Sequence, residues 1–427
     1  MKQTNNPTHP LHFSLSFSKQ ASTPAFLLLK LKETILQYLT MSMSMSIWQW
    51  LPKEIITEIL SWLPVKSLIR FRCVSKAWCS LISTSRFIAT HLNHSLSNSQ
   101  HQTYIFACHN YTFHTLLLYP SYQEIEQKGD FFANPSDLIE LHDPFNHKYS
   151  LYLVGSSNGL LCLANMTFNN ESGLCVLWNP SIQKAISLPK PNLGSLQQTF
   201  GFGYEPVTDD YKLVRLMNLH DCKTVPPLFE IYTLRTGIWR FITAPDSRYT
   251  MKYWSSSVLV CGALHWSTHT QRHQGAFCNV IMSFNMKDET FGEVGMPKSL
   301  QELEGLDVTV ALIDGLLALV PRTGFGIEAS HAVWVMKEYG VVESWTKLYD
   351  VRIEGFQRVI GFPKSDEVLV HDANRFFSFG PSSRGYLEDL PLCGLEHIYL
   401  DAYVESLVLL NVADLVPGRQ GNSSGGS

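Results

Sequence analysis

The sequence is short of charge. Only 16% of its 427 residues are Asp, Glu, Lys or Arg, and 33 basic against 37 acidic side chains leave a formal net charge of −4. A balance that small implies neither nucleic acid nor an acidic substrate as partner of the whole molecule. Long hydrophobic runs are missing too. The nearest, Ala25 to Leu39 (AFLLLKLKETILQYL), is too short and too charged to span a membrane. Lys30, Lys32 and Glu33 within it are foreign to a secretory signal. The nine cysteines are odd in number and form no C-x-x-C pair. That pattern argues against a disulfide framework and for reduced thiols in the cytoplasm and/or nucleus. No phosphate loop and no pair of catalytic carboxylates stands out.

What is present is apolar and patterned. With 45% hydrophobic residues most of the chain should pack into globular cores, and its length suits two or three domains. Between Leu51 and His91 the apolar residues fall at helical spacing. Pro52 suits the first position of a helix, where its missing N–H would be unpaired anyway. Ile55, Ile56, Ile59, Leu60 and Leu63 form a stripe behind it, and Pro64 closes that helix. Leu68 and Ile69 follow a short polar step. Val74, Ala77, Trp78, Leu81 and Ile82 then repeat at i, i+3, i+4, i+7 and i+8, the stripe of a helix with one buried face. Three short helices in about forty residues bury too little surface to stand alone, so a partner is implied. Lys53, Lys66, Arg70, Arg72, Lys76 and Arg86 against Glu54 and Glu58 give this stretch +4, leaving −8 for the remainder. A basic unit of this kind complements an acidic partner surface.

The run Leu51-Pro52 … Ile59-Leu60 … Leu63-Pro64-Val65-Lys66-Ser67-Leu68 … Arg72-Cys73-Val74-Ser75-Lys76-Ala77-Trp78 … Leu81-Ile82 … Phe87 … His91 resembles the F-box. The resemblance implies docking on a Skp-type adaptor and, through it, on a cullin–RING scaffold. It implies that Leu51, Pro52, Ile55, Ile59, Leu60, Leu63, Pro64, Leu68, Val74 and Trp78 face the adaptor or support the face that does.

From Thr103 the pattern changes to short runs of Val, Ile, Leu, Tyr, Phe and Trp between Gly, Pro, Asn and Asp, as in an all-β domain. Two elements recur. One is a Gly or acidic turn before an apolar strand, at Gly159–Leu163, Asp210–Val214, Gly262–Trp266, Gly315–Leu319, Glu367–Val370 and finally Glu405–Leu409. The other is a hairpin led by an aromatic: Trp178, Tyr232, Phe284, Trp334 and Phe377, separated by 54, 52, 50 and 43 residues. A period of about fifty in a β chain is close to that of propeller blades. Blades stack face to face, so Leu-Leu-Cys-Leu and Leu-Leu-Ala-Leu suit strands buried on both sides. Leu116–Tyr119 lacks a partner strand before it, and Val404–Leu410 lacks a hairpin after it. Pairing the C-terminal strand with an N-terminal hairpin closes the ring at about six blades.

The segments Gly155-Ser156-Ser157-Asn158-Gly159-Leu160-Leu161-Cys162, Trp178-Asn179-Pro180-Ser181, Gly201-Phe202-Gly203-Tyr204, Asp209-Asp210-Tyr211-Lys212-Leu213-Val214 and Gly262-Ala263-Leu264-His265-Trp266 resemble the F-box-associated, kelch-like domain of a large plant F-box family. Similarity to S-locus F-box-like proteins is shared by many of its members. The expected fold is therefore α+β and multidomain, a small three-helix F-box followed by an all-β propeller-like domain. Residues 1–47 read as a disordered or doubtful extension, 48–91 as the F-box and 92–102 as a linker. The β domain takes 103–414, and 415–427 read as a disordered tail. The resemblance implies a non-catalytic substrate receptor of an SCF-type ubiquitin ligase, with an unknown target protein and with neither nucleic acid nor membrane as partner. Target specificity is expected in the loops Asn165–Gly173, Asp221–Pro227 and Thr268–Ala276. The alternative is a β-propeller enzyme or carbohydrate-binding protein with a vestigial F-box.

Two constellations invite chemistry. Gly155-Ser156-Ser157-Asn158-Gly159 matches G-x-S-x-G, but a nucleophile elbow leads into a helix, whereas this turn leads into LLCLA. Cys261, His265, His269, His273 and Cys278 are spaced like zinc ligands on a helix, yet Cys261 to Ser267 alternates like a strand. No catalytic residue, metal or cofactor is expected from either.

Overall fold

The computed structural model describes residues 52–97, 103–109, 114–119, 139–141, 151–165, 174–192, 197–218, 227–243, 249–251, 257–271, 277–301, 303, 306–323, 330–352, 357–364, 367–372, 375–379, 384–386 and 397–412. The expected N-terminal extension, Leu51, the C-terminal tail and most of the three candidate specificity loops lie outside the described residues. Two compact units divide the chain, residues 1–59 and 60–427. Among the described residues no helix is long and apolar enough to cross a membrane.

Four helices, not three, occupy residues 52–97: α1 (Lys53–Ser61), α2 (Val65–Phe71), α3 (Lys76–Ile82) and α4 (Ser85–Ser97). The fourth arises because Thr84 Oγ1 accepts the Phe87 N–H at 3.2 Å, capping a helix whose Phe87, Ile88 and His91 are buried. It extends to Ser97, six residues into the stretch expected to be a linker. α1 stops at Ser61, ahead of Pro64, as a proline there demands. The Pro64 carbonyl accepts the Ser67 and Leu68 N–H groups and so opens α2.

The remaining chain is antiparallel β. Strands β1 (Thr103–His109), β2 (His114–Tyr119) and β3 (Ile139–Leu141) begin the first sheet. β4 (Leu151–Ser157), β5 (Leu160–Asn165), β6 (Cys175–Asn179) and β7 (Lys184–Ser187) form the second. The third is β8 (Gln197–Glu205), β9 (Asp210–Asn218), β10 (Leu228–Thr233) and β11 (Ile238–Ile242). In the fourth, β12 (Tyr249–Met251) and β13 (Val258–Val260) both pair with β14 (Ala263–Gln271), followed by β15 (Phe277–Asn285) and β16 (Thr290–Val294). After the short helix α5 (Lys298–Gln301) comes the fifth, β17 (Asp307–Ile313), β18 (Leu316–Thr323), β19 (Ser330–Met336) and β20 (Trp345–Arg352). The sixth is β21 (Gln357–Lys364), β22 (Glu367–Asp372), β23 (Arg375–Phe379) and β24 (Arg384–Tyr386). Last, β25 (His397–Tyr403) returns to β1, with Thr103 opposite Tyr403 and His109 opposite His397.

The recurring turn-plus-apolar-strand element is the second strand of each sheet from the second to the sixth, and each aromatic-led hairpin is its third and fourth strands. Such strands are buried on both faces. Leu160, Cys162 and Ala164 of β5 join one apolar cluster with β8 and β9, while Leu161 and Leu163 join another with Tyr403. In β18, Leu317 and Leu319 face the fourth sheet, and Ala318 and Val320 face the sixth. The leading strands touch in succession: β4 with β8, β8 with β13 and β14, these with β17, β17 with β21, β21 with β25, and β25 with β4. The C-terminal pairing is thus realised by His397–Tyr403. The expected last strand, Glu405–Leu409, is a strand in no sheet; β1 is already occupied by β25, and Val404–Val412 turns away as coil.

Candidate functional site

The helical residues are organised by caps and a few polar ties. The Pro52 carbonyl accepts the Ile55 and Ile56 N–H groups at 3.1 and 3.2 Å, and Glu54 sits favourably at the positive end of α1. Ser75 Oγ accepts the Trp78 N–H at 3.2 Å, so α3 starts at Lys76 and Val74 falls before it. Trp78 is buried edge-on against Phe71, 5.4 Å between ring centroids. Buried His91 donates from Nε2 to the Leu63 carbonyl at 3.0 Å. Burial pulls its imidazole below the ordinary range, an effect the Leu63 bond opposes and neighbouring His94 reinforces. His94 stacks on Trp62 and shares a 3.0 Å hydrogen bond with Ser61.

The two catalytic look-alikes take structural places. Asn158 (φ 52°) and Gly159 (φ 78°) are the left-handed pair of a tight β4–β5 hairpin, with Ser157 on the strand before it. Cys261 sits exposed at the β13–β14 turn, whereas Cys278 is buried beside Thr270 at the far end of the same sheet. His265 is fully buried, and its Nε2 lies 2.9 Å from the Tyr339 hydroxyl. His273 lies outside the described residues. Among the described residues no three His, Cys, Asp or Glu side chains are grouped to hold a metal.

Residues 48–90 match the F-box domain, and residues 103–362 match the F-box associated beta propeller domain. This chain belongs to that F-box family. F-box protein CPR1 of Arabidopsis thaliana is 27% identical over 312 residues, covering 67% of this chain and 69% of its own. The F-box/kelch-repeat protein At3g23880 of the same plant is 28% identical, over 67% and 75%. F-box protein At5g10340 is 24% identical over 81% of each chain. Among solved structures, an alpha-L-arabinofuranosidase from Lactobacillus brevis aligns at 6% identity over 60% of this chain and 90% of its own. Its TM-score of 0.33 carries no argument.

Within the F-box the nine candidate residues that are described, all but Leu51, separate by exposure. Leu60, Leu63, Leu68 and Trp78 are buried, and Ile59 is half-buried. Pro52 and Pro64 are exposed, as are Ile55 (48%) and Val74 (52%), a large apolar exposure for two residues expected in helical stripes. For Val74 the cause is the Ser75 cap, which leaves it outside the periodic face of α3. Of the six basic residues all but Arg72 are exposed. Three organising residues fall outside the expected apolar stripes: Ser75, Thr84 and His94. The first two carry a legible signal, a hydroxyl three residues before an aromatic at a helix start. His94, in a polar stretch, carries none.

Proposed function

We propose that this chain is the substrate-recognition subunit of an SCF-type cullin–RING ubiquitin ligase. Its F-box binds a Skp-type adaptor, and its β-propeller domain, with the six sheets as blades, holds the target protein. The observation that carries this reading is the F-box match itself, joined to a helical unit whose buried residues form a core while Ile55, Val74 and five basic side chains remain exposed. A buried core with an apolar, basic exterior is what docking on an acidic, partly apolar adaptor requires. The chain itself makes and breaks no bond. It raises the effective concentration of target lysines near the ubiquitin-loaded enzyme. The described cysteines are free thiols, which suits the cytoplasm and/or nucleus.

Strand order supports a target end. α2 packs against the Pro180–Ile182 turn between β6 and β7. In an antiparallel sheet the strand ends that enter the connections β5–β6, β9–β10 and β14–β15 lie at the opposite end from such turns. Those are the connections in which specificity was expected. The deciding experiment is co-purification with the adaptor: Leu51→Ala combined with Pro52→Ala should abolish it while the β domain stays folded. Undiminished adaptor recovery overturns the assignment.

A further inference from the structure

The residues that most resemble a catalytic motif, and the Trp178-Asn179-Pro180-Ser181 turn, have another occupant. Both hairpins of the second sheet receive the coil Val404–Val412 that follows β25. Asn179 Nδ2 donates to the Ser406 carbonyl at 3.0 Å and to the Val408 carbonyl at 2.9 Å, across 227 and 229 residues of sequence. Its Oδ1 accepts the Ser181 N–H at 3.0 Å, so one buried amide holds its own turn and the incoming coil together. Ser181 and Tyr403 hydroxyls meet at 2.7 Å, Ser156 Oγ donates to the Ala402 carbonyl at 3.1 Å, and Lys184 Nζ donates to the Val412 carbonyl. Gly159 has no side chain where Ser406 passes: a Cβ there would stand 2.5 Å from the Ser406 hydroxyl. Ser406, Leu407 and Leu409 are buried as a result.

The same coil reaches the helices. Asn411 Nδ2 donates to Ser85 Oγ, at the start of α4, at 3.1 Å. Although the Glu405 side chain is exposed, partial desolvation by the surrounding chain raises its carboxyl above the ordinary range, and the Lys66 ammonium of α2 opposes that rise. α2 itself rests on the Pro180–Ile182 turn that Asn179 caps. A segment whose carbonyls are held by Asn179 and Lys184 on one side, and which bonds α4 and lies in the field of Lys66 of α2 on the other, ties the helices to the second sheet.

We infer that Val404–Val412 is a strap that fixes α2 and α4 against the second sheet, with Gly159 and Asn179 as its positioning residues. The signature turns of the second sheet are then strap receptors, and neither is part of an active site. If the chain is a ligase receptor, the strap sets the attitude of the adaptor-facing helices toward the target-holding sheets. The strap itself does not depend on that reading.

Amide hydrogen exchange on the full-length protein tests it. Asn179→Ala and Asn179→Asp both remove the Nδ2 donor, but Asp keeps an acceptor for the Ser181 N–H. Both should speed exchange at Leu410, Val412 and through α2 by tenfold or more, while β17–β20 keep wild-type rates. Asn411→Ala should speed the first turn of α4. Wild-type exchange of the strap in Asn179→Asp overturns the inference. So does a strap that loosens while α2 and α4 keep their rates. Should the Asn179 variants fail to fold, Asn411→Ala and Glu405→Gln decide at exposed positions, and unchanged helix exchange in both overturns it. Adaptor binding is not read in this experiment, so its outcome is separate from that of the receptor assignment.

Discussion

A Cβ on Gly159 would stand 2.4 Å from the Val404 carbonyl oxygen, a separation no side chain tolerates. Gly315, with almost the same φ (77° against 78°), has nothing within 4 Å of that position. The pair therefore separates backbone strain from overlap. Gly315→Ala should cost about 1 kcal/mol, and Gly159→Ala about 3 kcal/mol, with the excess coming from displacement of the strap. Urea unfolding midpoints of the two variants check this, and equal losses would refute it.

Exposure divides the F-box residues into two kinds, and substitution should follow that division. Ile55→Asp and Val74→Asp, at exposed positions, should leave stability within about 0.5 kcal/mol of wild type and weaken adaptor binding tenfold or more. Leu68→Ala, at a fully buried position, should instead cost roughly 2–5 kcal/mol of stability. Titration of the adaptor alongside thermal melts distinguishes the two effects.

Arg215 of β9 and Glu230 of β10 form an ion pair with both side chains fully buried, Nη1 to Oε2 2.8 Å. Glu230 Oε1 also accepts the Asn192 N–H, and Gln198 accepts from Arg215 Nε. Glu230→Gln should cost about 3–5 kcal/mol because it strands a buried guanidinium, whereas Arg215→Met with Glu230→Leu should lie much closer to wild type. Chemical denaturation of the single and double variants decides it.

His265 supplies a pH test. Burial pushes its imidazole down to about 4, against backbone hydrogen bonds at Val258 and Ala263 that favour the charged form. As pH falls through the ordinary value of 6.5, the unfolded histidine takes up a proton and the folded one does not. Stability is therefore fully present above that value and is lost progressively down to about 4, by roughly 3 kcal/mol in all. His265→Asn should flatten the stability curve across that window. An unchanged slope would show that another group governs it.

How much of this was legible in the sequence depends on how local the cause is. The second strand of the second to fifth sheets announced itself, because a left-handed turn before a doubly buried strand leaves both a Gly or Asp and an unbroken apolar run. The fourth helix is hidden at Thr84, where a single hydroxyl cap restarts the chain just past the apolar stripe that ends at Ile82. Trp239 and Trp345 each donate from Nε1 to a backbone carbonyl fifty residues upstream, at Pro189 and Gly295. Their spacing shows the repeat, yet nothing in either sequence names the acceptor. The strap was hidden for a stronger reason. Glu-Ser-Leu-Val-Leu has a strand's composition, and only β25, already in place on β1, denies it an edge to join.

Because β1 is completed by β25, synthesis order becomes a constraint. Helices α1–α4 leave the ribosome before any of the sheets, but the strand that closes the first sheet and the coil that grips α2 and α4 leave after all of the other strands. Tyr403 lies 300 residues after its partner Thr103, a separation that makes closure slow. A chain interrupted anywhere before His397 would carry finished helices on an open sheet edge. It would be a nascent product that chaperones can still recognise as incomplete, and one unable to present the helices in their final attitude.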